Sequence, residues 1–272
     1  RLSYNYDEKY FIEFNIRHDA TSRFRKEDRW ATFPSVSGAW NVARENFWAF
    51  KDIVSQFKLR GSWSTSGNGN VGGYYPFYPT INTSISNAII LDGKFVSTAS
   101  LPPLVSNSLT WAKPTTIDFG FDMNAFKNRL EINYDWYQRT VKDQFGPANP
   151  LPETLGTGVP QTNNAVSETR GWEVNLKWKD KAFNLLGKPF RYDVSFRMSD
   201  YIGYVVDYKD NGTGAVGGQW TNGEVFGQNY VYASNGIAQN LQDLYSAVPS
   251  GGTWYYPGDI TRKDINGDGE IN

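Results

Sequence analysis

TTIDFGFDMN (residues 115–124), followed after AFKN by RLEINYDWYQRTVK (129–142), decides the fold. Ile117, Phe119, Phe121 and Met123 alternate with Asp118, Gly120, Asp122 and Asn124. Leu130, Ile132, Tyr134 and Trp136 then alternate with Glu131, Asn133, Asp135 and, further on, Arg139. Successive side chains of a strand point to opposite faces, so a two-residue period marks a strand with one apolar and one polar face.

The same period recurs along the chain. Tyr10, Ile12, Phe14 and Ile16 oppose Glu13, Asn15 and Arg17, with Phe11 joining the polar set. Phe57, Leu59, Gly61 and Trp63 oppose Lys58, Arg60, Ser62 and Ser64. Trp172, Val174, Leu176 and Trp178 oppose Glu173, Asn175, Lys177 and Lys179. Tyr192, Val194, Phe196 and Met198 oppose Arg191, Asp193, Ser195 and Arg197. Weaker versions cover 1–6 (Leu2, Tyr4, Tyr6) and 31–42 (Val36, Trp40, Val42). The reading is about eight strands, at 1–6, 10–19, 31–42, 55–66, 115–124, 129–142, 168–179 and 190–202. Most approach the length of about 9–11 residues that crosses a bilayer at a tilt. Helix is expected only as a turn around 43–53.

Composition agrees with a β protein. The 272 residues are 16 % aromatic, with 10 Trp, 17 Tyr and 17 Phe, and 26 Gly and 13 Pro punctuate them. Lys+Arg 27 against Asp+Glu 28 leaves no basic excess for nucleic acid. No cysteine is present, so disulfides, thiolate metal sites and a cysteine nucleophile are excluded from this chain. His18 is the only histidine, which excludes a histidine zinc cluster and a triad; its parity and position suit an ordinary interface role. GNGNVGG (67–73) follows a strand but precedes no helix, so it fails as a phosphate loop. No carboxylate pair stands out as an acid–base couple, and Asp207 and Asp210 sit in a polar loop. The chain is not expected to be an enzyme. It starts within a pattern at Arg1 without a signal peptide and reads as a piece of a longer protein. No run of 18 apolar residues occurs, which excludes a transmembrane helix but leaves a transmembrane β-barrel open.

Alternation fits a soluble antiparallel sandwich, with the apolar face as core, or a membrane barrel, with the apolar face in lipid. Connection lengths separate the two. At one rim the connections are 7–9, 43–54, 125–128 and 180–189. At the other they are 20–30, 67–114, 143–167 and 203 to the end. Long structureless loops are uncommon in compact soluble domains, whereas short turns on one rim and long loops on the other are the habit of outer-membrane barrels. Trp172 and Trp178, one near each end of the expected strand 168–179, and Tyr10 and Trp63 near opposite strand ends suit two membrane–water interfaces. The fold class is all-β, a segment of a large antiparallel transmembrane β-barrel.

Several blocks also resemble one family. HDATSRFRKEDRWATFPSVSGAWNV (18–42), FKLRGSWSTSGN (57–68), LTWAKPTTIDFGFDMNAFKNRLEINYDWYQRTVKDQF (109–145), LPETLGTG (151–158), RGWEVNLKW (170–178) and the terminal DINGDGEIN are similar, in order, to blocks of SusC/RagA-type TonB-dependent transporters. Ala20 and Ala112-Lys113-Pro114 depart from the usual residues of those blocks. The resemblance implies that 1–272 is part of one barrel domain of 22 strands in the outer membrane of a Bacteroidetes-like bacterium. The plug domain, TonB box and last strands would lie outside it. It implies uptake of oligosaccharides or peptides with a SusD-like lipoprotein lid, energy from TonB, and pairing of transporters into a homodimer. Glu13, Arg17, Lys58, Arg60, Asp118, Asp122, Glu131, Asp135, Arg191, Asp193 and Arg197 would then form a hydrated lumen wall. YYPFYP (74–79) and GGTWYYPGD (251–259), in the outer loops, would suit stacking on sugar rings.

The terminal KDINGDGEIN (263–272) has calcium-loop spacing: Asp264, Asn266 and Asp268 as oxygen ligands, Gly269 at the turn and the carbonyl of Glu270. It stops before the twelfth position, where such a loop places its bidentate carboxylate. The expected role is a structural Ca2+ staple in an outer loop; a metal-free turn of the same shape is the alternative. Rival readings of the whole chain are a soluble carbohydrate-binding β-sandwich with a structural calcium loop, or a dockerin-like or EF-hand module, which would need a second calcium loop. A β-barrel glycosidase or protease lacks a convergent acid–base set.

Overall fold

A computed structural model describes residues 1–71, 73–81, 83–99, 102, 104–146, 152, 154, 159–160, 162–180, 183–185, 187–208, 220–228, 231–245, 247–248 and 255–271. Most of LPETLGTG, the GGTW of 251–254, Asp210 and Asn272 lie outside the described residues. The chain forms two compact units, Arg1–Phe226 and Gly227–Asn272.

The first unit holds strands β1 (Leu2–Tyr6), β2 (Tyr10–Ala20), β3 (Trp30–Asn41), β4 (Val54–Thr65), β5 (Thr83–Leu91), β6 (Lys94–Ala99) and β7 (Lys113–Ala125). It continues with β8 (Leu130–Phe145), β9 (Asn163–Lys179), β10 (Phe183–Leu185), β11 (Lys188–Phe190) and β12 (Asp193–Tyr208). Eight of these make one sheet in the order β1-β2-β3-β4-β7-β8-β9-β12, antiparallel at every pairing. Each expected strand is therefore present, and each is a neighbour of the next long strand in sequence.

The expected boundaries need correction. β7 nearly matches the expected 115–124, but β8, β9 and β12, at 16, 17 and 16 residues, run past one end of the expected 129–142, 168–179 and 190–202. Their extra residues lie chiefly at the long-loop rim, beyond the point where the apolar parity has already turned polar at Gln138, Thr140, Glu168 and Arg170. Because β9 starts at Asn163, Trp172 is mid-strand rather than near an end, and only Trp178 lies at a rim. Arg191 and Tyr192 precede β12 instead of opening it. The long connections are not structureless either. Segment 67–114 contains the β5–β6 hairpin; at the short-turn rim the β10–β11 hairpin lies between β9 and β12 and runs to Phe190. The expected turn near 43–53 contains the 3-10 helix Val42–Arg44.

Short-rim turns are cut by residues in left-handed conformation: Asp7 and Glu8 in the β1–β2 turn, and Phe126, Lys127 and Asn128 between β7 and β8. Two consecutive positive φ values match the right-handed twist of the flanking strands. Asn5 Oδ1 also accepts the Glu8 amide at 3.1 Å.

The second unit is small. β13 (Ser234–Ile237) pairs with β14 (Ile260–Arg262), and a short helix covers Leu241–Tyr245. No described helix is long and apolar enough to cross a membrane, which says nothing of a barrel.

Candidate functional site

The eight-stranded sheet presents two chemically opposite faces. On one, large apolar side chains stand in the open: Ile12 (55 % exposed), Phe14 and Ile16 on β2, Phe119 on β7, and Val194, Phe196 and Met198 on β12. Among the described residues no second sheet packs on this face, so the sandwich reading finds no partner layer. Exposed apolar area on this scale marks an interface with another apolar phase.

The apolar band crosses the hydrogen-bond ladder obliquely. The row Phe14–Val36–Trp63–Ile117 is apolar from β2 to β7 and becomes Gln138 and Arg170 on β8 and β9. On β2 the band begins at Tyr10. That row reaches β9 at Val174, yet the band there begins four residues nearer the short-turn rim, at Trp178. Four residues rise about 13 Å and five strand spacings span about 24 Å. A level band then requires strands tilted by roughly 30°, near the 35–45° of outer-membrane barrels.

Aromatic rings concentrate where the band meets the short-turn rim. Tyr6 stacks on Tyr10, Tyr10 on Trp40, and Trp48 on Phe57 at 5.7 Å; Phe126 meets Trp178 at 6.2 Å. Glu45 Oε1 accepts the Tyr10 hydroxyl at 2.5 Å and Trp40 Nε1 at 3.0 Å. These hydrogen bonds, from Tyr10 first and Trp40 second, hold the Glu45 carboxyl below its usual range, helped by Lys9. At the other rim His18 stacks on Trp30 at 4.8 Å and bonds Thr32 through Nδ1, an ordinary role for this histidine.

The opposite face carries a polar network. Arg60 on β4 reaches Asp122 (Nε–Oδ2 2.9 Å) on β7 and Asp135 (Nη2–Oδ1 2.9 Å) on β8. Asn133 donates to Asp122 at 2.8 Å, and Asn175 donates to Asn133 at 3.2 Å. The row Arg60–Gly120–Asp135 explains the glycine: a Cβ at 120 would lie 2.2 Å from Asp135 Oδ1 and 2.6 Å from the Tyr134 carbonyl. Gly120 is thus the gap through which a β8 carboxylate reaches a β4 guanidinium. Lys58 lies over the Phe11 ring at 4.3 Å, which accounts for an aromatic on the polar parity. Glu13 pairs with Arg1, Glu131 with Lys179, and Asp193 with Lys177. Arg17 pairs with Asp19 of its own strand rather than across the wall. An open groove of about 440 Å³ includes Glu13, Lys58, Arg60 and Asp118, and a second of about 280 Å³ includes Asp135, Glu173 and Arg197. Arg191 alone of the expected wall residues stands outside a strand.

Sequence reading missed a buried cluster at the root of the long loops. Phe24 (fully buried) from 21–29, Phe33 from β3, and Val71, Leu109 and Trp111 from 66–112 pack together. Trp111 Nε1 donates to the Arg29 carbonyl at 3.2 Å. Asn68 and Ala112 exchange backbone hydrogen bonds. A Cβ at Gly67 would lie 2.1 Å from Phe33 Cζ and 2.7 Å from Trp111 Cε3. Arg23 donates to Asn70 Oδ1 and Arg25 to Asn107 Oδ1. Asn163 binds both the amide and the carbonyl of Thr110 at 3.0 Å and also donates to the Asp143 carbonyl. SRFR, RWATF, STSGNG and LTWA each contribute a buried ring or a close-packed glycine, but these residues share no period that would join them in the sequence. A second cluster, Ala165, Val205 and Tyr208 with Trp220, folds residues 220–226 along the free edge of β12, where Val205 bonds Glu224 and Phe226 bonds Gly203.

In the connection 66–112, Phe77 is buried against Tyr78 at 4.5 Å, Tyr74 lies under the Arg23 guanidinium at 5.6 Å, and Tyr74 and Tyr78 stay exposed. In the second unit both carboxylate oxygens of Asp264 accept amides, from Gly267 at 2.6 Å and Gly269 at 2.8 Å. Asn266 Oδ1 accepts from Asp268, and Asp268 Oδ1 from Glu270. Gly267 and Gly269 take positive φ. Among the described residues no three His, Asp or Glu side chains converge as a metal cluster.

An antiparallel sheet with an apolar band oblique to its ladder, an aromatic rim and a charged reverse face has the make-up of a transmembrane β-barrel wall. Residues 1–269 match the family model for the TonB dependent receptor-like β-barrel, and the chain belongs to that family of outer-membrane receptors. It is 29 % identical over its whole length to TonB-dependent receptor P3 of Formosa agariphila, covering 27 % of that protein. It is 29 % identical over 73 % of its length to TonB-dependent receptor SusC of Bacteroides thetaiotaomicron, covering 19 % of it. The fold is similar to that of a RagAB peptide transporter structure, with a TM-score of 0.71 and 23 % identity over 87 % of this chain and 25 % of the other. A RagAB peptide importer in an open-open state gives a TM-score of 0.70 at 24 % identity, over 96 % of this chain and 28 % of the other. The chain thus spans 19 % to 28 % of the length of these relatives.

Proposed function

We propose that this chain supplies part of the wall and outer loops of a transporter that takes up oligosaccharides or peptides through the outer membrane. The observation carrying the reading is the two-faced sheet: an uncovered apolar band on one side and the Arg60–Asp122–Asp135 network on the other. In this reading the apolar face meets lipid, and the polar face keeps the lumen wet and offers ion-pair partners to a plug. TonB would act through a plug contributed from outside these residues, and a SusD-like lipoprotein would cover the outer loops, with transporters paired as a homodimer. Peptide cargo is supported by the likeness to the RagAB transporter. Sugar cargo is supported by the exposed rings of Tyr74 and Tyr78. The proposed role is transport. The test is uptake of labelled peptides and oligosaccharides by cells with the full-length gene intact, deleted, or intact in a TonB-deficient background. Loss of one cargo class in both altered strains is expected; unchanged uptake of both classes would overturn the reading.

We also propose that the terminal loop binds Ca2+ as a staple. Its donors are hard oxygens from Asp264, Asn266 and Asp268 with the Glu270 carbonyl, and the amides bound to Asp264 already curl the backbone around that carboxylate. Calorimetry on the full-length protein should show calcium uptake that Asp264→Asn with Asp268→Asn abolishes. No difference between the two proteins at millimolar calcium would remove the staple.

A further inference from the structure

The connection from β3 to β4, residues 42–53, folds against the apolar face of the sheet. Three contacts hold it there. Glu45 accepts hydrogen bonds from Tyr10 and Trp40, the Phe47 ring meets Trp40 edge-on at 6.4 Å, and Trp48 lies flat on Phe57 at 5.7 Å with 10° between ring planes. Tyr10, Trp40 and Phe57 all belong to the apolar parity. So anchored, the connection leaves Phe47 (67 % exposed), Phe50 (58 %) and Ile53 (50 %) uncovered at the edge of the band. Trp48 Nε1 is satisfied by the Val54 carbonyl at 3.4 Å, so its ring sits against apolar surface with its polar atom bonded. Lys51 is exposed on the same connection.

We propose that residues 42–53 are an interfacial foot, seating Phe47, Phe50 and Ile53 at the headgroup–acyl boundary of the leaflet on the short-turn side, with Lys51 toward lipid phosphates. The occupant is phospholipid, because this surface continues the apolar face without a break. The proposal rests on the reading of that face as lipid-facing. Aromatic rings with satisfied polar edges favour this zone, and interfacial apolar segments bury about 5–10 Å into it. A turn merely bridging two strands would have no reason to bring three large apolar side chains to the band edge.

The test uses the full-length protein in phosphatidylethanolamine–phosphatidylglycerol vesicles. Phe47→Cys or Phe50→Cys carries an environment-sensitive dye, with Ile12→Cys as a reference within the band and Asp7→Cys as a reference in water; this chain has no cysteine of its own. Nitroxides on the upper acyl chain should quench the dye at 47 and 50 as they quench Ile12→Cys, and iodide should quench only Asp7→Cys. Iodide quenching at 47 and 50, with Ile12→Cys still lipid-quenched, would overturn the foot and leave the barrel standing. Iodide quenching at Ile12→Cys as well would overturn both. A photo-crosslinker at 50, which keeps an aromatic ring there, should capture lipid; capture of polypeptide alone would also overturn the proposal.

Discussion

Gly67→Ala should loosen the long loops without unfolding the barrel wall. The new methyl would lie 2.1 Å from Phe33 Cζ and 2.7 Å from both Phe33 Cε2 and Trp111 Cε3. These are rigid rings, 5 % and 7 % exposed, not flexible chain ends that swing aside. Both rings are also pinned: Trp111 bonds the Arg29 carbonyl, and Phe33 sits in β3 opposite Arg17. Forcing one carbon into a packed site costs about 1–3 kcal/mol. The cluster ties 21–29 to 66–112, so the cost falls on their closure and not on the ladder between β4 and β7. A penalty of about 2 kcal/mol raises the open population roughly 30-fold. Hydrogen–deuterium exchange with peptide resolution reads this directly. Amides of 66–71 and 109–112 should exchange roughly 30-fold faster, while those of 57–63 and 117–123 stay unchanged. Unchanged exchange at both sets would refute the reasoning that Gly67 is required by ring packing, and equal acceleration of both would refute the separation of loop root from wall.

Gly120→Ala should cost about 1–3 kcal/mol, because its Cβ meets the backbone carbonyl of Tyr134 as well as Asp135; heat-modifiable gel migration should shift to lower temperature, and an unchanged midpoint would contradict the close approach. A double-mutant cycle on Arg60→Ala and Asp135→Ala should give a coupling of about 1 kcal/mol or less, since both side chains are nearly a third exposed. A much larger coupling would mean the face is dry. Glu45 has a folded pKa below its unfolded one, so its contribution is present above the unfolded value and fades as pH falls through the folded value. Protection factors at residues 42–48, which allow for the intrinsic slowing of amide exchange in acid, should therefore fall as pH falls, and Glu45→Gln should flatten that dependence; a profile unaltered by the substitution would reject the role assigned to Glu45.

The band-forming parts of the fold were legible because burial in one apolar phase imposes a strict two-residue period. Ile117 to Met123 and Leu130 to Trp136 were assigned to the correct faces residue by residue. The strand ends were not legible where the strands leave that phase. At 143–145 and 163–167, past the expected ends, the side chains keep no regular apolar–polar period, so nothing in them distinguishes strand from loop, and backbone pairing alone extends β8 and β9. The wall network was half legible: the charges were evident, but the reach of Asp135 to Arg60 depends on the missing side chain at Gly120. The loop-root cluster was hidden for another reason. Phe24, Gly67 and Trp111 are distant in sequence and follow no period, so only their packing shows that they form one structure.

The central claim is that one face of this sheet lies in lipid and the other lines water. A cysteine scan of residues 117–124 in the full-length protein, in vesicles, tests it on the stretch that set the fold. Lipid-borne nitroxides should quench dyes at 117, 119, 121 and 123, and a water-soluble quencher should reach those at 118, 120, 122 and 124. Equal access of the water-soluble quencher to both sets would contradict the account.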